Sequence, residues 1–275
     1  MELTAENLSP RIVFDQFYNK ANKKFGQNFL FDEKINRKII SAAGDLSGKV
    51  VMEVGPGPGG LTLEILKQPI KKLCVVEADP HWVNVWKQLS PLFDGKLQVE
   101  HCDALVFDEL SLAPNVIISN LPYNISTQLL TKWLEHFECY DKLILMFQKE
   151  VADRLYAEPR TKSYGRLSVL SQWKSKVEKV FDLEPGSFFP PPKVRSTVVQ
   201  FSPKQADDLS KSYHEFSDLI SSAFLHRRKV VSKSIEKYSR DVSNILQNLG
   251  YTKNARAEEI SVQDFCQLFR MIAEK

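Results

Sequence analysis

From residue 49 onward the chain alternates short, continuous apolar runs with longer stretches whose apolar residues recur at helical spacing. The runs Val50-Val51-Met52-Glu53-Val54, Leu73-Cys74-Val75-Val76-Glu77, Leu97-Gln98-Val99-Glu100, Asn115-Val116-Ile117-Ile118-Ser119 and Leu143-Ile144-Leu145-Met146-Phe147 are rich in β-branched or bulky side chains. Each is strand-sized, as expected of strands covered on both faces in a parallel sheet. With helical stretches between them, the pattern predicts βαβ units and right-handed crossovers. Two further strands are predicted at residues 177–181 and 194–201. In the second, Val194, Ser196, Val198 and Gln200 share one face, and Arg195, Thr197, Val199 and Phe201 the other. No evident helix separates these two, which suggests an antiparallel edge pair.

The texture changes after Pro203. Phe216, Leu219, Ile220, Ala223 and Phe224 recur at helical spacing and strand-like alternation stops, so a small all-helical C-terminal domain is expected. At the other end, Ile12, Val13, Phe14, Phe17 and Tyr18 can line one face of a helix. Asp32, and Asp79 before Pro80, are suited to capping helix N-termini. The expected organisation is an N-terminal extension over 1–22, an α/β domain over 23–203 and a helical domain over 204–275.

Composition adds bounds. The chain has 275 residues, 43% hydrophobic and 26% charged, which suits one large domain plus a smaller one. A net charge of +3 is too mild to indicate nucleic acid by itself. The local distribution is more telling. Arg227, Arg228, Lys229, Lys233, Lys237 and Arg240 face a single acid, Glu236, between His226 and Arg240. That is a phosphate-binding footprint, although a solvated helix face can look the same; Arg160, Lys162 and Arg166 extend it. Cys74, Cys102, Cys139 and Cys266 form no C-x-x-C pair and the five histidines are scattered, so neither a disulfide frame nor a metal site is expected. No apolar run approaches the roughly 18 residues of a membrane helix, and the N-terminus lacks a signal-peptide pattern. A soluble, cytoplasmic protein without membrane partners is expected.

Two loops carry candidate chemistry. Gly55-Pro56-Gly57-Pro58-Gly59-Gly60 follows the first strand and satisfies the dinucleotide pattern G-x-G-x-x-G. Such a loop offers N–H groups to a pyrophosphate, and Pro56 and Pro58 remove two of them. No lysine follows Gly60, so a P-loop fails as well. A cofactor without phosphates fits better, and S-adenosylmethionine is one. Glu77 is placed for its ribose hydroxyls, Asp103 for its adenine amine and Glu53 for its methionine end, with Gly55 and Gly57 giving close backbone approach. Each acid alone is more often a cap or a solvated loop residue; three at strand carboxyl ends beside a glycine loop are harder to dismiss.

The second loop is Asn120-Leu121-Pro122-Tyr123, after the fourth strand. Pro122 stiffens it and holds Leu121 away from helical geometry. Two acceptors, the Asn120 side-chain oxygen and the Leu121 carbonyl, beside the Tyr123 ring suit a planar aromatic amine such as N6 of adenine. A tight turn with Asn120 as cap and Tyr123 as packing is the plainer alternative. Upstream, Lys23-Lys24-Phe25-Gly26-Gln27-Asn28-Phe29-Leu30 reads as a basic turn or as a lid supplying Gln27 and Asn28 to a ligand.

Taken in order, Phe25-Gly26-Gln27-Asn28-Phe29-Leu30, the stretch from Glu53 to Thr62, Glu77, Asp103-Ala104-Leu105, the stretch from Asn120 to Thr127, and Phe188-Phe189-Pro190-Pro191-Pro192-Lys193-Val194-Arg195-Ser196 resemble the ribosomal RNA adenine dimethyltransferases of the KsgA type. Phe224, Arg227, Arg228 and Lys229 resemble that family's helical-domain signature. The resemblance implies a seven-stranded, Rossmann-like class I methyltransferase fold with an antiparallel edge strand and a helical C-terminal domain. It implies S-adenosyl-L-methionine, without metal, at Gln27, Asn28, Leu30, Gly55, Glu77, Asp103 and Asn120. It implies N6,N6-dimethylation of two neighbouring adenosines near the 3′ end of small-subunit ribosomal RNA, by a monomer acting on the assembling small subunit. Asn120, Leu121, Pro122 and Tyr123 are then catalytic, Phe188 is the second ring stacking on the target base, and Arg227, Arg228, Lys229 and Lys233 bind RNA. Residues 1–22 match nothing in the family. Arg195 stands where an acid or amide is frequent, and Phe189 where a smaller residue is common.

Other functions compete. A resistance-type enzyme acting on large-subunit RNA usually carries Ile at the position of Leu121. A DNA adenine methyltransferase normally adds a sequence-reading domain. A relative acting as a transcription factor or as a non-catalytic ribosome-assembly protein would not need the Asn120-Pro122-Tyr123 set.

Overall fold

A computed structural model of the chain describes residues 3–18, 27–204, 213–226 and 229–273. The packing forms two units, one comprising Met1–Ala152 and Glu178–Ser202, the other Asp153–Val177 and Pro203–Lys275.

The strands are β1 (Phe29–Leu30), β2 (Val50–Val54), β3 (Lys72–Glu77), β4 (Leu97–His101), β5 (Val116–Ser119), β6 (Lys142–Gln148), β7 (Lys176–Leu183), β8 (Phe188–Phe189) and β9 (Ser196–Ser202). The first unit is built on a seven-stranded sheet of order β4-β3-β2-β5-β6-β9-β7. Strands β2 to β6 pair in parallel, and β9 pairs antiparallel with β6. The strand order turns round between β2 and β5, and the crevice outside the carboxyl ends of such neighbours is where open α/β sheets take ligands. The two strand ends are tied there by the Ser119 hydroxyl, which donates to the Val54 carbonyl at 2.7 Å.

The first unit's helices are α1 (Pro10–Phe17), α2 (Glu33–Ala43), α3 (Gly60–Leu66), α4 (Pro80–Leu89) and α5 (Ser126–Glu135). Asp32 caps α2 by accepting from the N–H groups of Lys34 and Ile35. Asp79 caps α4, with Pro80 in its first turn. The N-terminal segment is part of the core. Ser9 caps α1, whose Val13 and Phe14 are buried, and the Phe14 ring meets Phe29 edge-on at 5.9 Å. Residues 19–22 of the expected extension lie outside the described residues.

As expected, the two late strands are neighbours at one edge of the sheet, and their order is now fixed. β9 inserts between β6 and β7, with Leu143 opposite Phe201 and Gln148 opposite Ser196. The cause is in the side chains: Ser196, Thr197, Val198, Val199 and Phe201 are all buried, so β9 needs neighbours on both sides. β7, carrying Lys176, Glu178, Lys179 and Asp182, takes the edge, where charge discourages further pairing.

Helix α6 (Lys149–Leu155) and strand β7 run across the division between units. The second unit holds α7 (Arg166–Lys174), α8 (Tyr213–Phe224), α9 (Val231–Ser234), α10 (Val242–Asn248) and α11 (Val262–Ala273). Trp173 stacks on Tyr213 and packs on Phe216, which meets Phe269 edge-on. The Tyr164 hydroxyl donates to the Ile260 carbonyl at 2.8 Å. The packing therefore groups residues 153–177 with the helical unit, whereas the change in sequence texture falls only at Pro203.

Candidate active site

A cavity of about 210 Å³ opens at the carboxyl ends of β2 to β5. The loop from β2 into α3 forms its floor. Gly57 and Gly59 have φ of +50° and +91°, a region that side chains disfavour. A Cβ on Gly57 would stand 2.8 Å from the Phe29 ring, and one on Gly60 2.5 Å from the Leu30 carbonyl oxygen. The Trp86 indole N–H donates to the Gly57 carbonyl at 2.8 Å, and the Gly55 N–H to the Val76 carbonyl at 2.9 Å. The glycines therefore let the floor lie directly against β1. Gln27, Asn28, Phe29 and Leu30 form the adjoining wall, with the Gln27 amide donating to Asp79 at 3.3 Å and the Asn36 amide to the Leu30 carbonyl at 3.3 Å.

Three carboxyl groups line the cavity. Glu53 is 2% exposed and accepts from the Thr62 hydroxyl at 2.7 Å. Burial pushes its pKa up to about 8, against the Thr62 hydrogen bond and with a small addition from the Glu77 charge. Glu77 is 6% exposed and accepts from the Asp79 N–H at 2.8 Å. Burial pushes it up to about 7, although N–H groups of Asp79, Ala78 and Gly57 oppose the shift. Asp103 is exposed, and its Oδ1 accepts from the Leu105 N–H at 2.9 Å.

The Asn120 loop closes the remaining side. The Asn120 amide nitrogen donates to the Asn28 carbonyl at 2.8 Å. The Tyr123 hydroxyl shares a 2.5 Å hydrogen bond with the Ser196 hydroxyl, and burial raises its pKa. The Ile125 N–H donates to the Pro122 carbonyl at 3.1 Å, and the Ser126 hydroxyl to the Tyr123 carbonyl at 3.0 Å. These bonds make the tight turn that launches α5.

The cavity brings together Gln27, Asn28, Leu30, Glu53, Gly55, Gly57, Glu77, Asp103, Asn120, Leu121, Pro122 and Tyr123. Phe188, expected as the second stacking ring, is not in its lining. It is 4% exposed, packed in the hydrophobic core and paired through β8 with Leu30 of β1. Phe189 is 47% exposed and meets Phe14 edge-on. Lys229 and Lys233 belong to the second unit. Arg227 and Arg228, like Lys23 to Gly26 of the candidate lid, lie outside the described residues. The sequence-based expectation missed Trp86, Thr62 and Asn36. Nothing in local spacing marks an indole that reaches a loop carbonyl 29 residues away.

Chemically, the lining offers carboxylate, amide and carbonyl acceptors, and among the described residues no lysine or arginine. That acceptor set suits hydroxyls, amines and a cationic ligand and gives a pyrophosphate no counter-charge.

Comparison with known proteins points the same way. The family model for ribosomal RNA adenine dimethylase matches residues 18–274. A ribosomal RNA small subunit methyltransferase A from Paramagnetospirillum magneticum is 40% identical over 254 residues, covering 92% of this chain and 90% of that protein. Its counterpart from a Ruegeria species is 39% identical over 273 residues, covering 97% and 98%. A dimethyladenosine transferase structure from Plasmodium falciparum superposes with a TM-score of 0.76 at 28% identity, over 90% of this chain and 98% of that one. The 23S rRNA methyltransferase ErmE shares the fold, with a TM-score of 0.66 at 22% identity over 90% and 100% of the two chains.

Proposed function

The chain belongs to the ribosomal RNA adenine dimethylase family, and on that premise we propose that it converts two adjacent adenosines near the 3′ end of small-subunit (16S) ribosomal RNA to N6,N6-dimethyladenosine, using S-adenosylmethionine. The observation that carries this function is the meeting, in one cavity, of the acid-lined glycine loop and the Asn120 loop. The first provides for the methyl donor, the second for the amine.

The cavity fits S-adenosylmethionine by its chemistry: acceptors for hydroxyls and an ammonium, a glycine floor that packs directly against β1, and, among the described residues, no cation to welcome phosphate. When bound, the cofactor supplies an electrophilic methyl on a positively charged sulfur. Glu77 accepts from the ribose hydroxyls, Asp103 from the adenine amine, and Glu53, steadied by Thr62, faces the methionine end. Gln27, Asn28 and Leu30 cover the ligand from the β1 side.

The target adenine leaves its stack and lies on the Tyr123 ring; stacking of this kind contributes about 1–3 kcal/mol, offsetting part of the unstacking. Asn120 Oδ1 and the Leu121 carbonyl accept the N6 protons and turn the nitrogen lone pair toward the methyl. Positioning does most of the work. A strong base is unnecessary, because the proton leaves a nitrogen that has already become cationic. Lys229 and Lys233, with Arg227 and Arg228, contact RNA phosphates in the assembling small subunit. The enzyme works as a soluble, cytoplasmic monomer without a metal. Among the described residues no helix is long and apolar enough to cross a membrane.

The test is transfer of labelled methyl groups to small ribosomal subunits lacking the modification, followed by nucleoside analysis of the RNA. N6,N6-dimethyladenosine in the small-subunit RNA is expected. Transfer to large-subunit RNA instead, or cofactor binding without transfer, would overturn the assignment.

A further inference from the structure

Asp103 is exposed and sits on a surface loop whose Val106 is 77% exposed, an insecure base for reading a ligand. What fixes that loop comes from elsewhere. The Lys132 ammonium donates to the carbonyl of Ala104 at 3.2 Å, to the carbonyl of Phe107 and to Glu109 Oε2 at 2.5 Å. An ammonium has three N–H donors, and here they meet three acceptors. Glu109 is buried, and its other oxygen receives the Tyr140 hydroxyl at 3.5 Å. Ala104 lines the cavity next to Asp103, and the Leu105 N–H between these anchors orients Asp103 Oδ1.

Lys132 lies on α5, the helix that begins directly after the Asn120 loop. One side chain thus links the helix carrying the amine-binding loop to the loop carrying Asp103. A half-buried ion pair is weak evidence of stabilisation, because a well-packed apolar pair often serves as well. An apolar pair could not bind two loop carbonyls.

We propose that Lys132, backed by Glu109, is a positioning residue that holds Asp103 against the cofactor's adenine and so contributes to selectivity for an adenosyl group. This rests on the assignment of Asp103 to the adenine amine above. The predicted consequence is specific to the base. Loosening the loop weakens recognition of the amine and leaves the ribose and methionine contacts of Glu77 and Glu53 in place.

The experiment compares calorimetric binding of S-adenosylhomocysteine with that of S-inosylhomocysteine, in which an oxygen acceptor replaces the amine. Wild type is expected to favour the adenosyl ligand by about tenfold or more. In Lys132→Met that preference falls several-fold, while affinity for the inosyl ligand stays within about twofold of wild type. The double variant Lys132→Met/Glu109→Gln leaves no buried unpaired carboxylate, and it serves where the single variant does not fold. Equal weakening toward both ligands, or an unchanged preference, overturns the proposal. A wild type with no preference overturns the Asp103 assignment itself, and this inference falls with it.

Discussion

The side-chain amide of Asn120 donates to the main-chain carbonyl of Asn28 at 2.8 Å, a contact between residues 92 positions apart. The bond fixes the segment that walls the cavity against the loop at the end of β5. It also engages one of the two amide N–H groups and so sets which way the amide is turned, the orientation on which the proposed role of Oδ1 depends.

Asn120→Ala is therefore expected to lower the rate of methyl transfer by roughly 10²–10³-fold, the usual effect of removing one preorganised hydrogen-bonding group. Affinity for the cofactor should fall by less than about tenfold, through loosening of the Gln27–Leu30 side. Single-turnover transfer and ligand titration separate the two. A defect confined to cofactor affinity would remove Asn120 from the target amine.

Cofactor affinity should depend on pH. Burial holds the Glu77 carboxyl up at about 7 in the cavity, and hydroxyl donors on a bound ligand favour its anion. Binding below that value releases a proton. Affinity for S-adenosylhomocysteine should thus rise by up to about tenfold per pH unit below 7 through Glu77, with a further rise up to about 8 from Glu53 at the methionine end. Glu77→Gln should remove the part of this rise below 7 while weakening binding at pH 8.

Glu53 makes a prediction about stability with a definite sign. Its ordinary carboxyl value of 4.5 rises to about 8 on folding, because burial disfavours the anion. Below 4.5 the group is neutral in both states and exerts no effect. Between 4.5 and 8 the folded chain binds more protons than the unfolded one, so stability falls as pH rises, by an amount of the order of a few kcal/mol. Glu53→Gln keeps an acceptor for Thr62 and loses this slope. Urea unfolding should find the variant more stable than wild type at pH 8.5, and the difference should vanish near pH 5.

Gly59→Ala should destabilise the chain by roughly 2–4 kcal/mol. Its φ is +91°, and the added methyl would stand 2.4 Å from the Trp86 ring. Gly186→Ala, where nothing lies within 4 Å, is the control, expected within about 0.5 kcal/mol of wild type. Thermal melts of the two variants decide the point.

For RNA, changing Arg227, Arg228 and Lys229 together to Ala should weaken binding and make it less dependent on salt, by about one unit of slope per lost phosphate contact. Cofactor affinity should not move. Unaltered RNA affinity across a salt series would exclude the cluster as the phosphate contact.

The sheet and its floor were legible because their signals are local. Continuous apolar runs mark β2 to β6, Asp32 and Asp79 announce their helices, and the glycines and Asn120 follow strand ends. What escaped depends on partners distant in sequence. β1 and β8 are two residues each and have no period; only pairing of Phe29 with Phe189 makes them strands. Phe188 looked like an available ring, and that pairing directs it into the core. Helix α7 is buried over most of its surface, including Ser168, Ser171 and Trp173, so no polar face marked it as a member of the helical unit. Lys132 sits in a helix as any solvated lysine would, until the 104–109 loop folds over it.

The excursion of residues 153–177 into the second unit bears on how the chain emerges during synthesis. When β6 has been made, its row of Leu143 to Phe147 has β5 on one side and nothing yet on the other. The strand that covers it, β9, is translated only after the excursion and after β7. Throughout that interval the nascent sheet presents an apolar, unpaired edge, the kind of surface that recruits other chains. A chain ending near residue 160 would therefore keep that apolar edge open, and one extending past residue 202 can cover it with β9 and leave the charged β7 as the free edge on that side.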